Sequence, residues 1–433
     1  MVQSIDEQLD TITQDVADTY TALGAKGATL PAKKGTSNLK ATVDSLPKSG
    51  FPFTRCTLDD KGVLSSVSVK LDDDTFKGVK TVSSHALEYA GGILFGDIMY
   101  LRFPDLETVS TAGLKNFLTN GSINALCIDD TSFPKLHTVY NQGCYYSHFF
   151  ADSENPFPSL SVVKEEGFKG TFSYGGVKEG ITLRFPSLKS VERASFDSAF
   201  RDFTTNSFSV SFDALETTND SSEGSFKMAF YNSHVQNVDF PLLKGRSIFQ
   251  RTFEKSTIKY FNAPLLNSVR LERSFYESTL IEANFNGLVG CDTFSYTFYN
   301  CTKLIKADFP SLIKASSVYY TFYGCKALTE VNFPELSSIE LTNALQGCTS
   351  LITFSIPKAT VFKSSDYSFG GCSSLPSIRF PNVTQFKIGG STFSGCKALT
   401  EIHFRADMQA TVEALSGYAS KWGATNATIY FDL

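Results

Sequence analysis

Five stretches of one phrase decide the fold of this chain: FYNCTKLIKADFP at 298–310, FYGCKALTEVNFP at 322–334, LQGCTSLITFSIP at 345–357, FGGCSSLPSIRFP at 369–381 and FSGCKALTEIHF at 393–404. Their cysteines Cys301, Cys325, Cys348, Cys372 and Cys396 are separated by 24, 23, 24 and 24 residues. A fixed period of that length marks a solenoid, in which no coil can bury its own apolar face and each stacks on its neighbours. Within a coil the apolar residues fall at 0, +3, +5 and +8, as in Leu328, Val331, Phe333 and Leu336, followed by Ile339. This spacing places a short strand over Val331 and Phe333, and the proline after the final Phe ends its ladder because it has no N–H to give. The expectation is one parallel sheet running the length of the stack.

Outward from this stretch, the Phe-Pro landmark recurs at Phe103, Phe133, Phe157 and Phe185. It loosens to Phe212-Asp213, returns at Phe240, changes to Ala263-Pro264 and Phe285-Asn286, and continues at Phe309, Phe333, Ile356, Phe380 and Phe404. That predicts thirteen coils over 99–405. Upstream spacings of 24 to 30 imply insertions in the early coils, the largest including NQGCYYSHFFADSENP at 141–156, as surface loops. Residues 51–98 show no legible repeat and read as an N-terminal cap. Residues 406–433 read as a C-terminal cap in which Asp407 caps a helix carrying Met408, Val412, Leu415 and Ala419, and Ile429-Tyr430-Phe431 adds a last strand.

The cysteine position alternates with serine, as in Phe230/Ser233, Phe253/Ser256 and Phe275/Ser278. Serine cannot replace a zinc thiolate or half of a disulfide, so the nine cysteines read as free structural thiols and no metal site is expected. No cofactor motif appears. The five histidines are dispersed, and neither H-E-x-x-H, G-x-S-x-G nor a P-loop occurs, so no catalytic residues are assigned and the chain reads as a non-enzyme. A carboxylate pair for glycan hydrolysis is the one enzymatic arrangement that sequence cannot reveal.

A net charge of −5 with no basic cluster argues against nucleic acid as a partner. No run approaches the roughly 20 apolar residues of a membrane helix, so no membrane insertion is expected. The first residues, MVQSIDEQLDTITQDV, lack the basic and apolar regions of a signal peptide. Over 1–24, Val2, Ile5, Leu9, Ile12, Val16 and Leu23 make a heptad seam, read as a coiled-coil stalk whose residue types favour a homotrimer. The other reading is an amphipathic helix packed on its own chain. Residues 25–50 read as a linker and a short helix.

The functional candidates lie on outward strand positions. One row holds Asn237, Tyr260, Glu282, Lys306 and Glu330; the row beside it holds Asp239, Asn262, Asn284, Asp308 and Asn332. Two readings stand for them: a solvated sheet face with compatible neighbours, Lys306 lying between Glu282 and Glu330, or a polar trough for a glycan or a surface protein. A second candidate is the tyrosine supply at the turns: Tyr145, Tyr146, Tyr231, Tyr276, Tyr296, Tyr299, Tyr319, Tyr320 and Tyr323. Tyrosine suits recognition surfaces, and it suits packing between coils equally well.

The repeated phrase resembles the BspA-type leucine-rich repeat of bacterial surface proteins, with Phe-Pro where that family usually has Ile-Pro. The ending EALSGYASKWGATNATIYFDL is similar to endings in the same group. The run AKGATLPAKKGTSNLKATVDSLP, from Ala25, resembles N-terminal segments of phage and prophage tail-fibre proteins. Together the resemblances imply a leucine-rich-repeat solenoid behind a helical stalk. Its function would be that of a phage tail-fibre or receptor-binding protein, located in the virion tail, docked to a tail protein through its N-terminus and binding a bacterial surface glycan or protein. The alternatives are a BspA-like adhesin or interaction scaffold at the bacterial cell surface, and an exopolysaccharide-degrading tail enzyme.

Overall fold

A computed structural model of the protein describes residues 55–58, 64–68, 78–85, 102–117, 126–173, 175–220 and 223–433. The predicted stalk, with its seam residues Val2 to Leu23, the linker, and most of the predicted N-terminal cap lie outside these. The described chain is a parallel β-solenoid of about 13 turns, and its interior is one continuous column of Phe, Leu, Ile and Val.

Each full coil has three sides. The first is the predicted strand before Phe-Pro, here called the front row: Thr182–Arg184, Phe208–Ser211, Val235–Asp239, Tyr260–Asn262, Glu282–Asn284, Lys306–Asp308, Glu330–Asn332, Thr353–Ser355, Ser377–Phe380, Glu401–Phe404 and Thr428–Phe431. Phe-Pro-x-Leu then turns the corner. The Phe309 carbonyl accepts the Leu312 N–H at 3.2 Å, and the Phe103, Phe133, Phe157, Phe185, Phe240 and Phe333 carbonyls bond the residue three on in the same way. Proline belongs at the second position of such a turn because its φ is already set near −65°.

The second side was not legible as a strand in the sequence. A back row of short parallel strands follows the corner leucine, six from Thr81–Val82 to Thr217–Asn219, four from Arg246–Ile248 to Lys314–Ala315 and four from Val318–Tyr319 to Gln385–Lys387. Ile339, read as a trailing apolar residue, is the buried centre of one of these, Ser338–Thr342. The row begins with Thr81–Val82, within the stretch predicted as the N-terminal cap.

The third side is a row of successive turns. In the later coils it carries two left-handed residues four apart: Arg251 and Lys255, Arg273 and Glu277, Tyr296 and Asn300, Tyr320 and Gly324. Between them alternate amides cross to the next coil, as in Tyr296 N–H to Tyr319 O, Phe298 N–H to Thr321 O and Asn300 N–H to Tyr323 O at 2.7–2.8 Å. Reversing the backbone at every second turn keeps Phe298 and its equivalents pointing inward. Their rings stack from Phe200 through Phe230, Phe253, Phe275 and Phe298 to Phe322, at 5.0–5.4 Å and within 10° of parallel. Each such pair is worth about 0.5–1.5 kcal/mol beyond the area it buries.

The corner cysteines are free thiols, as expected, and all five of the quoted phrase are buried. Their role is more specific than filling a corner. Cys301, Cys325, Cys348, Cys372 and Cys396 each donate to a carbonyl of the preceding coil, those of Phe275, Phe298, Phe322, Leu345 and Phe369, at 2.9–3.2 Å. Ser233 and Ser256 instead bond the carbonyl of their own Phe, at 2.9 and 2.8 Å. A second ladder, unread in the sequence, comes from the Ser or Thr preceding the stacked Phe: Thr252, Thr297 and Thr321 donate to Phe226, Leu271 and Phe294 carbonyls one coil back, at 2.7–2.9 Å.

Two further expectations are corrected. The stretch 141–156 is not a loop insertion: its coil, from Phe133 to Phe157, is 24 residues long like the later ones, Cys144 is buried in the turn row, and Phe149–Ala151 is a strand of an additional three-stranded sheet with Leu126–Ile128 and Gly176–Val177. Asp407 caps no helix; it pairs with Arg405 at 2.6 Å, and the α-helix is only Gln409–Glu413. The last strand does form, as Thr428–Phe431 parallel to Glu401–Phe404.

The front sheet is not continuous either. Hydrogen bonding lapses between Thr353–Ser355 and Ser377–Phe380, and between Glu282–Asn284 and Lys306–Asp308. At the first of these Pro376 stands where Ile305, Thr329 and Ile352 each donate their N–H to the coil before. A missing N–H removes that link. The other lapse creates the candidate site.

Candidate binding groove on the front row

The registers place the two polar rows as predicted, Asn237 beside Tyr260 beside Glu282, and Asp239 beside Asn262 beside Asn284. Beyond the lapse, Lys306 lies beside Glu330 and Asp308 beside Asn332. At the lapse the inward positions are Ala283 and Ala307, where neighbouring strands carry Val238, Phe261, Val331 and Phe354. Two small side chains in succession forfeit the interlock that draws adjacent coils together. A groove of about 400 Å³ opens there, lined by Ile281, Glu282, Ala283, Asn284, Asn286, Ile305, Lys306 and Asp308.

Its banks are organised separately. On one, Asn284 Nδ2 donates to Asn262 Oδ1 at 2.9 Å, and Asn284 Oδ1 accepts the Asn286 N–H at 3.1 Å. On the other, Lys306 Nζ lies 3.4 Å from Asp308 and 3.5 Å from Glu330, and Asn332 Nδ2 donates to Asp308 Oδ1 at 3.2 Å. The predicted ladder from Glu282 through Lys306 to Glu330 is therefore only half made. Lys306 turns to its own bank, held charged by the Asp308 and Glu330 carboxylates, and Glu282 stands exposed on the opposite rim.

Of the ten predicted site residues, Glu282, Asn284, Lys306 and Asp308 line the groove, while Asn262, Glu330 and Asn332 orient them. Tyr260 is 47% exposed beside Glu282. Asn237 and Asp239 lie two coils away from the lapse. Asp239 is half withdrawn from water, which pushes its carboxyl up against the opposing hydrogen bond of Asn262. Sequence reasoning missed Ile281, Ala283, Asn286 and Ile305. The usable signal was the paired alanines and the replacement of Pro by Asn286 after Phe285.

Among the described residues no group of three or more His, Cys, Asp or Glu is placed to hold a metal ion, and no helix is long and apolar enough to cross a membrane. Of the tyrosines, six converge on the turn row: Tyr276, Tyr296, Tyr299, Tyr319, Tyr320 and Tyr323. Tyr145 packs on Tyr146, and Tyr231 lies between the guanidinium groups of Arg201 and Arg251.

The sequence model of the BspA type leucine rich repeat region matches in six copies over 184–294, 226–319 and 292–416, more than half of the chain. The chain belongs to the BspA-type leucine-rich-repeat family. Its solved structural relatives include a leucine-rich repeat protein from Bacteroides ovatus, 18% identical over 87% of this chain and 97% of that one, with a TM-score of 0.34. Another is a leucine rich cell surface protein from Faecalibacterium prausnitzii, 15% identical over 86% and 96% of the two chains, TM-score 0.32. No functionally curated protein matches.

Proposed function

We propose that this BspA-type protein is a binding scaffold of the bacterial cell surface, an adhesin whose ligand is a surface glycan seated across the lapse between Glu282–Asn284 and Lys306–Asp308. The supporting observation is the groove itself, where amides, carboxylates and one ammonium converge beside two isoleucines. Asn284 and Asn286 offer donors and acceptors to sugar hydroxyls, the Glu282 and Asp308 carboxylates accept from them, and Ile281 with the 52% exposed Ile305 offers apolar surface to the C–H face of a ring. Such a mixture suits a neutral, hydroxyl-rich ligand better than a polyanion.

The test is binding of purified protein to intact Gram-positive cells before and after their surface polysaccharide is stripped, with Asp308→Ala and Asn284→Ala beside the parent. Loss of a hydrogen bond to a charged group is worth about 1.5–3 kcal/mol, so Asp308→Ala should weaken binding roughly 10- to 100-fold. Binding indifferent both to stripping and to these substitutions removes the groove from the account. Sugar released during the same assay would make the protein a polysaccharide-degrading enzyme instead.

A second reading, a receptor-binding fibre docked to a phage tail protein, is carried by the run from Ala25 and by the seam Val2, Ile5, Leu9, Ile12, Val16 and Leu23. It requires a trimer that dissociates when residues 1–24 are deleted. A monomeric full-length chain at micromolar concentration excludes it.

A further inference from the structure

Five tyrosines of the turn row, with Tyr319 from the end of the back-row strand Val318–Tyr319, form two ladders side by side. Tyr276, Tyr299 and Tyr323 stack at 4.7 and 4.8 Å within 6° of parallel. Tyr296 and Tyr320 stack at 5.2 Å, with Tyr319 edge-on to both at 5.4 and 4.6 Å. The two ladders are inclined to each other by about 50°, and the Arg273 guanidinium covers Tyr276 at 4.3 Å. Tyr319 is exposed and the other five are half-buried.

Two features restrict what such a strip can bind. Within the ladders the ring faces are occupied by one another and by Arg273, so a ligand that needs a free aromatic face, such as a pyranose or a quaternary ammonium, is poorly served. What the ladders leave for a ligand is ring edges, positive in the ring quadrupole, and phenol hydroxyls, of which that of Tyr276 also meets Glu277 and those of Tyr296 and Tyr320 also meet Tyr319. Burial, with the Glu277 carboxylate beside Tyr276 and Tyr299 and with neighbouring phenols, pushes Tyr276, Tyr296, Tyr299 and Tyr320 up, so these hydroxyls stay protonated across the physiological range. The electrostatic complement is a regularly spaced row of carbonyl oxygens with no partner of their own.

A polyproline II helix presents that row, because it has no internal hydrogen bonds and its carbonyls are free. Its repeat also fits. Three residues at about 3.1 Å advance about 9.3 Å per turn, and Tyr276 to Tyr323 is two ladder steps of 4.7 and 4.8 Å. Equivalent carbonyls of such a helix, laid along the solenoid axis, meet every second tyrosine in register.

We propose that the tyrosine strip of Tyr276, Tyr299, Tyr323, Tyr296, Tyr320 and Tyr319 is a docking surface for a proline-rich segment in the polyproline II conformation, on a side of the coil separate from the front-row groove. The mode is that of aromatic-lined surfaces that read preformed proline helices, with a stacked ridge in place of a pocket.

The test is fluorescence anisotropy with a labelled ten-residue polyproline peptide, a Gly/Ser peptide of equal length and a neutral hexasaccharide, using the full chain. The polyproline peptide should bind and the Gly/Ser peptide should not. A Tyr299→Phe, Tyr320→Phe double variant keeps both stacks and removes two hydroxyls, and should weaken polyproline binding on the order of 10-fold with an unchanged circular dichroism spectrum. Asp308→Ala, in the groove, should leave it unaltered. Failure of the polyproline peptide to bind at millimolar concentration overturns the proposal. So does affinity unmoved by the double variant, or hexasaccharide binding that the double variant weakens.

Discussion

Raising the pH should unfold this solenoid through its thiols. The Cys301 thiol is pushed up to about 12 by burial, from an ordinary 9.0, and burial raises Cys144, Cys291, Cys325, Cys348 and Cys372 in the same direction. Above pH 9 the unfolded chain gives up these protons and the native chain keeps them. The stabilisation is therefore complete below pH 9 and is lost as pH climbs from 9 towards the folded values, by about 1.4 kcal/mol per thiol per pH unit. The perturbation that isolates it is Cys301→Ser, which installs the residue found at Ser233, Ser256 and Ser278. Between pH 8 and pH 10 the parent should lose about 1.4 kcal/mol more than this variant, and about 4 kcal/mol more than a Cys301→Ser, Cys325→Ser, Cys348→Ser triple variant. Lys and Tyr titrations are common to all three proteins and cancel. Urea unfolding followed by circular dichroism at the two pH values gives the numbers. A companion thiol titration at pH 8 should find these six cysteines silent in the native protein and all nine reactive in urea. Parallel pH profiles for parent and triple variant would refute the premise that the corner holds protonated, water-excluded sulfur.

Other outcomes follow from single contacts. Thr297→Val keeps the shape of a fully buried side chain and deletes its bond to the Leu271 carbonyl; it should cost about 0.5–1.5 kcal/mol by urea denaturation. Gly347 has φ +80° with only Gly324 backbone near its missing Cβ, so Gly347→Ala should cost about 1 kcal/mol from backbone conformation alone, and Gly347→Asn less. His403 Nδ1 meets Asp432 at 2.8 Å and Nε2 faces Glu401 at 3.2 Å, tying the last strand down. Hydrogen exchange at Thr428–Phe431 should quicken in Asp432→Asn while exchange at Glu330–Asn332 stays as it was.

Legibility tracked the kind of interaction. The front strands, the Phe-Pro corners and the polar rows were readable because a strand alternates strictly, so Val331 and Phe333 must face in where Glu330 and Asn332 face out. The back row was not, because strands of two to five residues such as Lys314–Ala315 or Thr138–Val139 hold too little pattern and exist only by pairing with the coils above and below. The cysteine position read correctly as structural, since serine substitutes for it; that the thiol reaches back one coil, whereas Ser233 and Ser256 bond within their own, depends on which carbonyl lies nearest. Of the candidate site, the residue types and rows were legible and the opening was not. Lys306 looked like a rung between two glutamates, yet it serves one bank only because the sheet parts beside it.

The repeat alone determined that this chain is a solenoid, which residues fill it and which line its outer rows, since periodicity and side-chain alternation are properties of a single coil copied many times. The relation between one coil and the next was decided by the tertiary structure. Where Ala283 meets Ala307 the stack loosens into a groove, and where Tyr299 meets Tyr323 it tightens into a ladder. Both are contacts between residues about 24 positions apart, whose consequence lies in the fit of two side chains and has no counterpart in either coil's own sequence.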